Sequence, residues 1–232
     1  MPERDDQDDA RTDCVPGFPS ERLERYLYRA LTLPIRDTLL SALEQLPQTG
    51  VASDLGCGPG KEVAELLRRG WRVEAVDAYA HMLQATQAVA IEAVGAQETS
   101  ARLCCVHAPI ARWSAPAQSL DLIHAGFSLP FVAAADFAGV WKKICAALKP
   151  DGIFAGQLFG HHDSFLTQSP VGSMNAHTHD EVLKLLSGFE LISITEEERD
   201  GVVGIPPNQQ PKHWHVFHIV ARHLMLQPML GR

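Results

Sequence analysis

The sequence predicts an α/β protein, a mostly parallel sheet covered on both faces by helices and closed by an antiparallel hairpin. Three observations carry this. Short apolar runs alternate with helical stretches between residues 51 and 159, the pattern of strands buried on both faces. One strand-to-helix turn is crowded with glycine, Asp54-Leu55-Gly56-Cys57-Gly58-Pro59-Gly60-Lys61. The alternation then stops: two strand-like runs, Phe189–Glu197 and His213–Arg222, follow each other with no helix between them. Strands joined in that way are antiparallel if they pair.

Residues 1–19 are polar and acidic, without periodicity, and read as a disordered tail. Residues 20–48 read as a helical cap. Ser20 is a candidate N-cap for a helix carrying Leu23, Tyr26, Leu27 and Ala30 at helical spacing. Pro34 opens a second helix with Ile35, Leu39, Leu40, Leu43 and Leu46 on one face, ended by Pro47 and Gly50. The main domain is then 49–224, with 225–232 as a tail.

Within that domain Val51–Leu55 is the first strand and Lys61–Arg69 a helix stopped by Gly70. Trp71–Val76 is the second strand, Ala80–Ala93 a helix, Arg102–His107 the third strand and Leu120–Ala125 the fourth. Asp136–Leu148 is a helix, Lys149-Pro150-Asp151-Gly152 a turn, and Ile153–Phe159 the fifth strand. Residues 160–178 read as a long polar loop, broken by Gly160, Pro170 and Gly172, that forms part of a lid. A helix over 179–187 and the final hairpin, joined by a polar connection over 200–211, complete the chain.

Composition narrows the function. The chain has 232 residues, 46% hydrophobic and 21% charged, which suits one domain with a full core. No apolar run approaches the ~20 residues of a membrane span, and no basic-then-apolar leader opens the sequence. A net charge of −8 argues against a broad nucleic-acid footprint. Five cysteines without a CxxC pair fit buried thiols in a reducing cytoplasm rather than a disulfide framework or zinc knuckle. The expectation is a cytoplasmic protein with a small-molecule partner, no nucleic acid and no membrane; assembly as a homodimer stays open.

The glycine turn is the informative segment. Glycine there lets the backbone approach a ligand and adopt positive φ, and the following helix offers free N–H groups. In open α/β sheets ligands bind at the carboxyl ends of strands where the order reverses. The dinucleotide fingerprint G-x-G-x-x-G is not met: Lys61 takes the place of its third glycine, and Pro59 removes one N–H donor. A ligand without phosphate does not need that grip. Asp77 ends the second strand, where a carboxylate can accept both hydroxyls of a ribose.

Val51–Gly60 followed by Val73–Asp77 resembles the first two motifs of class I S-adenosylmethionine (SAM)-dependent methyltransferases. Leu148-Lys149-Pro150-Asp151-Gly152 and the final hairpin are also similar to that family, and the resemblance covers roughly residues 21–223. Within the class the layout looks like bacterial small-molecule enzymes, the tellurite-resistance type among them. The resemblance implies a Rossmann-like three-layer sandwich with seven strands ordered 3-2-1-4-5-7-6. It implies SAM as cofactor, S-adenosylhomocysteine (SAH) as product and in-line methyl displacement to a small acceptor. Asp54, Gly56, Gly58 and Gly60 would wall the methionine end, and Asp77 would hold the ribose with Ala78 and Met82 beside the adenosine. Ala108, Pro109 and Ile110 would line the adenine, although the acid usual there is missing. Ala125, Gly126 and Phe127 would line the methionine and face the acceptor. Two rivals remain beside this reading: a non-catalytic SAM-binding module and an NAD(P)-dependent oxidoreductase. Lys61 and the terminal hairpin disfavour the second. No N/D-P-P-Y-type tetrapeptide follows the fourth strand, where Ala125-Gly126-Phe127-Ser128 stands, so a nucleic-acid acceptor has no support.

Eleven histidines include three clusters, at 161–162, 177–179 and 213–218. On a strand His213 and His215 share a face while His218 points the other way. No H-E-x-x-H occurs, so these residues read as polar groups at a pocket mouth, and no metal is expected. His124, His161 and His162 follow or end strands on the functional edge and are the candidate general bases. Tyr26 and Tyr28 would close the lid from the other side. Cys57 is read as a small buried side chain and not as a nucleophile, because methyl transfer needs none.

Overall fold

The computed structural model describes residues 30–170, 172–204 and 209–224. Seven strands form one sheet: β1 (Val51–Leu55), β2 (Arg72–Asp77), β3 (Leu103–His107), β4 (Leu120–Ala125), β5 (Leu148–Phe159), β6 (Phe189–Val203) and β7 (Gln210–His223). Their order is β3-β2-β1-β4-β5-β7-β6. The first five are parallel, and β7 runs antiparallel to both β5 and β6. The expected Rossmann-like order and its final reversal are therefore observed.

Helical periodicity decides which helix covers which face. The helices are α1 (Asp37–Glu44), α2 (Lys61–Arg68), α3 (Ala80–Val94), α4 (Ala96–Arg102), α5 (Ala134–Ala147), α6 (Ser164–Gln168) and α7 (His179–Leu185). Leu39 and Leu43 of α1, Val63, Leu66 and Leu67 of α2, and Leu83 and Ala90 of α3 pack on Ala52, Val73, Ala75 and Leu122. On the opposite face Phe137, Val140, Trp141 and Ile144 of α5, with Val182 of α7, pack on Ile123, Phe154, Phe217 and Ile219. Two apolar layers thus enclose the sheet.

Several boundaries differ from expectation. The helix expected from Pro34 starts at Asp37, whose carboxylate suits the first turn, and Arg36 before it is extended. Arg102 closes α4 instead of opening β3: Gly95 ends α3, and Glu98 pairs with Arg102 one turn on, at 2.8 Å. The Lys149–Gly152 turn sits inside β5 as a bulge. Leu120 pairs Leu148 and Leu122 pairs Ile153, so four residues bow out opposite Asp121, with Asp151 at φ 64°. The region 160–178 is no open loop, since it holds α6 and a parallel bridge between Gly160 and His177.

The hairpin is longer than its apolar content predicts. β6 continues to Val203 and β7 begins at Gln210, whereas β5 accompanies β7 only from Val216 to Arg222. The excess is a two-stranded ribbon with polar side chains on both faces, which is why residues 200–211 read as a connection. Not all thiols are buried: Cys57 is, Cys145 is half-buried, and Cys104 and Cys105 are exposed because β3 is an edge strand. The tail over 1–19, the helix from Ser20 to residue 29 with Tyr26 and Tyr28, Cys14, and the tail over 225–232 lie outside the described residues. Among the described residues no helix is long and apolar enough to cross a membrane.

Candidate functional site

The site lies at the carboxyl ends of β1, β2 and β4, where the strand order reverses on either side of β1. Gly56, Gly58 and Gly60 all take positive φ (73°, 54° and 84°), so the loop turns in a way that other residues strain to follow. Their surroundings differ. A Cβ on Gly60 would lie 2.7 Å from the Thr86 Cα, so Gly60 permits close packing of the loop on α3. A Cβ on Gly56 would strike Ser128, with Ile110 at 3.6 Å. A Cβ on Gly58 would meet nothing within 4 Å; this glycine borders open space.

Asp77 ties the two motif segments together. Its Oδ2 accepts the Gly58 N–H and its Oδ1 the Tyr79 N–H, each at 2.9 Å. The Gly56 and Cys57 N–H groups both donate to the Val76 carbonyl (2.8 and 3.0 Å). Thr86 donates to the Gly58 carbonyl at 2.8 Å. Each Asp77 oxygen keeps a lone pair for a further donor. Ala78 is exposed beside it, Met82 is buried on α3, and the Ala108 N–H donates to the Asp77 carbonyl at 3.0 Å. Pro109 and Ile110 then begin a single 3-10 turn. The loops after β2 and β3 are also bridged by His107 and the Ala78 carbonyl at 3.1 Å.

Asp54 and His124 are register partners on β1 and β4, and Asp54 Oδ1 lies 2.7 Å from His124 Nδ1. Both are buried, at 2% and 1% exposure, and His124 Nε2 has no hydrogen-bond partner. The His124 ring lies against the loop after β4, where a Cβ on Gly126 would come within 2.9 Å of its Cε1, so Asp54 holds it at the strand ends with Nε2 unpaired. Strand parity held this signal, since Leu122 and His124 share a face with Ala52 and Asp54. Beyond it, Ala125 is buried and Phe127 sits at φ 56°. The Phe127 N–H donates to Gln157 Oε1 at 3.1 Å, and Gln157 donates on to Thr38 at 3.0 Å. A non-glycine residue fixed at positive φ is a feature of ligand-clamping segments.

Arg36 was not legible from sequence. It precedes α1 yet reaches across the site: its guanidinium carbon lies 4.8 Å from the Phe127 ring centre, and its Nε 3.8 Å from Glu62. A Cβ on Gly126 would strike it at 2.5 Å. Gly126 thus makes room for a cation beside the open loop. Lys61, the first residue of α2, is spent on the Pro34 carbonyl (2.7 Å) and Glu62 (3.1 Å). Burial, with Asp54 beside it, pushes the Cys57 thiol far up, so it stays protonated and is no nucleophile.

His161 and His162 go elsewhere. His161 pairs with Glu181 of α7 at 3.5 Å and His162 with Glu198 of β6 at 3.0 Å, both exposed. Neither partner belongs to the glycine loop. Between that loop and the ribbon stands an aromatic group: Phe127, Phe131, Phe159, Phe165 and Trp214, with ring centres 6.0–6.3 Å apart in successive pairs. Phe131 is 55% exposed, so the group opens to solvent. Beneath it Lys212 is fully buried, paired with Asp163 and lying 4.3 and 4.4 Å from the Phe165 and Trp214 rings. Burial lowers the Lys212 pKa, and the Asp163 hydrogen bond draws it back up. Asp163 also caps α6.

Residues 52–152 match a family model described as a methyltransferase domain. Over these residues the chain is similar to that family, and its strand order is the Rossmann-like one of class I methyltransferases. The cofactor of that family is SAM. Among solved structures, a SAM-dependent methyltransferase from Methanosarcina mazei aligns with a TM-score of 0.62 and 19% identity, over 83% of this chain and 100% of that one. TehB from Haemophilus influenzae aligns at 0.65 and 14%, over 87% and 67%. The 1,6-didemethyltoxoflavin-N1-methyltransferase of Burkholderia thailandensis, with 1,6-didemethyltoxoflavin and SAH bound, aligns at 0.56 and 18%, over 92% and 94%. These share the fold. No curated protein matches the chain by sequence.

Proposed function

We propose that this methyltransferase domain binds SAM at the Gly56–Gly60 loop and transfers its methyl group to a small, planar or aromatic acceptor. The observation that carries the reading is the Asp77–Gly58 bond: it places a carboxylate with free lone pairs beside the one loop glycine that borders open space. Asp77 would take the ribose hydroxyls. Ile110 and Met82 would flank the adenine with Ala78, Ala108 and Pro109 as neighbours, and apolar contact replaces the missing acid. Gly56, Gly58, Ala125 and Gly126 would border the methionine end, with Asp54 and His124 bracing it from below. The Arg36 guanidinium, 4.8 Å from Phe127, suits the methionine carboxylate. No phosphate grip is needed, which separates the ligand from NAD(P).

The chemistry asks little of the protein. An acceptor lone pair attacks the methyl carbon as the carbon–sulfur bond breaks; its electrons pass to sulfur, and the sulfonium becomes the neutral thioether of SAH. Any acceptor proton leaves afterwards or is absent from the start. Alignment and exclusion of water are what the enzyme supplies, and such positioning accounts for about 7–11 kcal/mol in favourable cases. Acceptors that ionise readily or carry a free lone pair need no strong base, and they fit this reading best. Phe127, Phe131 and Trp214 offer ring faces and edges to such an acceptor. The neighbour with a bound heterocycle supports this choice. Incubation with SAM and a panel of small heteroaromatic amines, phenols and thiols should yield SAH with one acceptor class, and Arg36→Ala should raise KM for SAM. SAH formation unchanged by Gly58→Asn would overturn the site.

A further inference from the structure

The register of the terminal hairpin assembles a second group of ligating side chains. Glu198 stands opposite His215 and Asp200 opposite His213. Alternation then puts Glu196, Glu198, Asp200, His213 and His215 on one face of the ribbon, and Trp214 and His218 on the other, where both meet Phe127 at 6.1 Å. The turn after β5 lays His162 on the first face. Its ring lies 5.0 Å from that of His215, its N–H donates to His215 Nδ1 at 3.3 Å, and its Nδ1 is 3.0 Å from Glu198 Oε1. This approach depends on Gly160, where a Cβ would lie 2.3 Å from the His215 ring.

We propose that His162, Glu198 and His215 form a binding site for a divalent transition-metal ion of the Zn2+ type. One ligating atom from each lies within 4.8 Å of the others. Two imidazoles and one carboxylate are a recognised zinc set that leaves a fourth position for water, and the softness of the set excludes Mg2+ and Ca2+. The atoms need to draw together by about an ångström to reach tetrahedral spacing, which the exposed His162 and Glu198 side chains allow. One further carboxylate stands behind the set: Glu196 Oε1 is 2.8 Å from His215 Nε2, which leaves Nδ1 to ligate once the ion displaces the His162 N–H from it. Such outer partners orient ligating imidazoles. Among the described residues the side chains bonded to Glu196, Glu198 and Asp200 are all imidazoles. Three carboxylates on one face are therefore offset by imidazoles alone, with no lysine or arginine among their described partners, and a cation would add to that offset.

Sequence spacing hid this site, because neither His213 nor His215 brings a third ligand along its own strand. The ion has a structural role: it pins the ribbon to the turn after β5 and so holds Trp214 against Phe127. Only that consequence rests on the proposed function; the binding itself does not.

The test uses the full chain, stripped with a chelator and titrated with Zn2+ and, separately, Co2+. One saturable Zn2+ per chain is expected, with the visible absorption of four-coordinate Co2+. Glu198→Gln and His215→Asn should each weaken Zn2+ by more than about 100-fold, since loss of an outer partner alone costs up to that. His81→Ala, away from the ribbon, should not. Zn2+ should raise the melting temperature of the native sequence and not of Glu198→Gln. SAH binding by the stripped protein and by Glu198→Gln shows that each is folded and reports on the cofactor site separately. Weak binding of several ions, insensitive to these substitutions, would overturn the proposal.

Discussion

Replacing Asp77 by alanine removes the group on which the cofactor reading turns. Two losses follow, and they are separable. Within the protein, the Gly58 and Tyr79 N–H groups lose acceptors at 2.9 Å. Both lie at the edge of the open space, where water can replace the carboxylate, so the stability cost should be about 1–2 kcal/mol. Toward the ligand, the charge-assisted pair to the ribose is lost, about 1.5–3 kcal/mol, or about 10- to 150-fold in Kd. Asp77→Asn keeps one oxygen for the backbone and should recover most of the stability while leaving the affinity low. Urea unfolding gives the first quantity and calorimetric titration with SAH the second. A folded Asp77→Ala protein that binds SAH as tightly as the native one would refute the placement of the ribose.

Further outcomes are specific. Gly58→Asn should fold, because asparagine tolerates its φ of 54° and nothing lies within 4 Å of the new Cβ, yet it should lose SAH binding. Gly60→Ala should instead lower stability by roughly 1–3 kcal/mol through overpacking on Thr86. Asp163→Ala should destabilise by about 3–5 kcal/mol by leaving the Lys212 ammonium buried and unpaired; a loss under about 1 kcal/mol in urea melts would contradict that pairing. His177 gives a pH signature. It is buried, with its ring 4.6 Å from that of Phe137 and its Nε2 3.0 Å from Asn175, and burial lowers its pKa, opposed by Glu181 and aided by His161. Above the unfolded value of 6.5 both states are neutral. As pH falls below it the unfolded chain takes the proton first, so stability is lost until the folded pKa is reached. His177→Gln should lose less stability than the native protein between about pH 7.5 and about pH 5; parallel losses would contradict the assignment.

What was legible in the sequence is what the backbone dictates. The glycines at 56, 58 and 60 suit a loop that turns at positive φ and packs on Ser128 and Thr86, and Asp77 marks the end of a strand by its place after an apolar run. Alternation of strands and helices, then its failure, gave the sheet and its reversal. What depends on register was not legible. The Glu198–His215 and Asp200–His213 pairs need the hairpin to continue through a polar stretch with no apolar face. Arg36 acts across the chain on a loop 90 residues further on, where Gly126 leaves it room. That His124 is buried and held by Asp54 follows from strand parity across β1 and β4, which its place at a strand end alone does not show. The lid region read as loop because its order comes from the buried Asp163–Lys212 pair and from Phe165, contacts made with β7 and the aromatic group.

The most direct test of the account is a calorimetric titration of the native protein with SAM, SAH and NAD in parallel. Saturable binding of SAM and SAH at one site per chain, with no heat from NAD, is the expected result. Binding of NAD with none of SAM or SAH would contradict it, because the Gly56–Gly60 loop would then be gripping a pyrophosphate that its Pro59 and Lys61 are unsuited to hold.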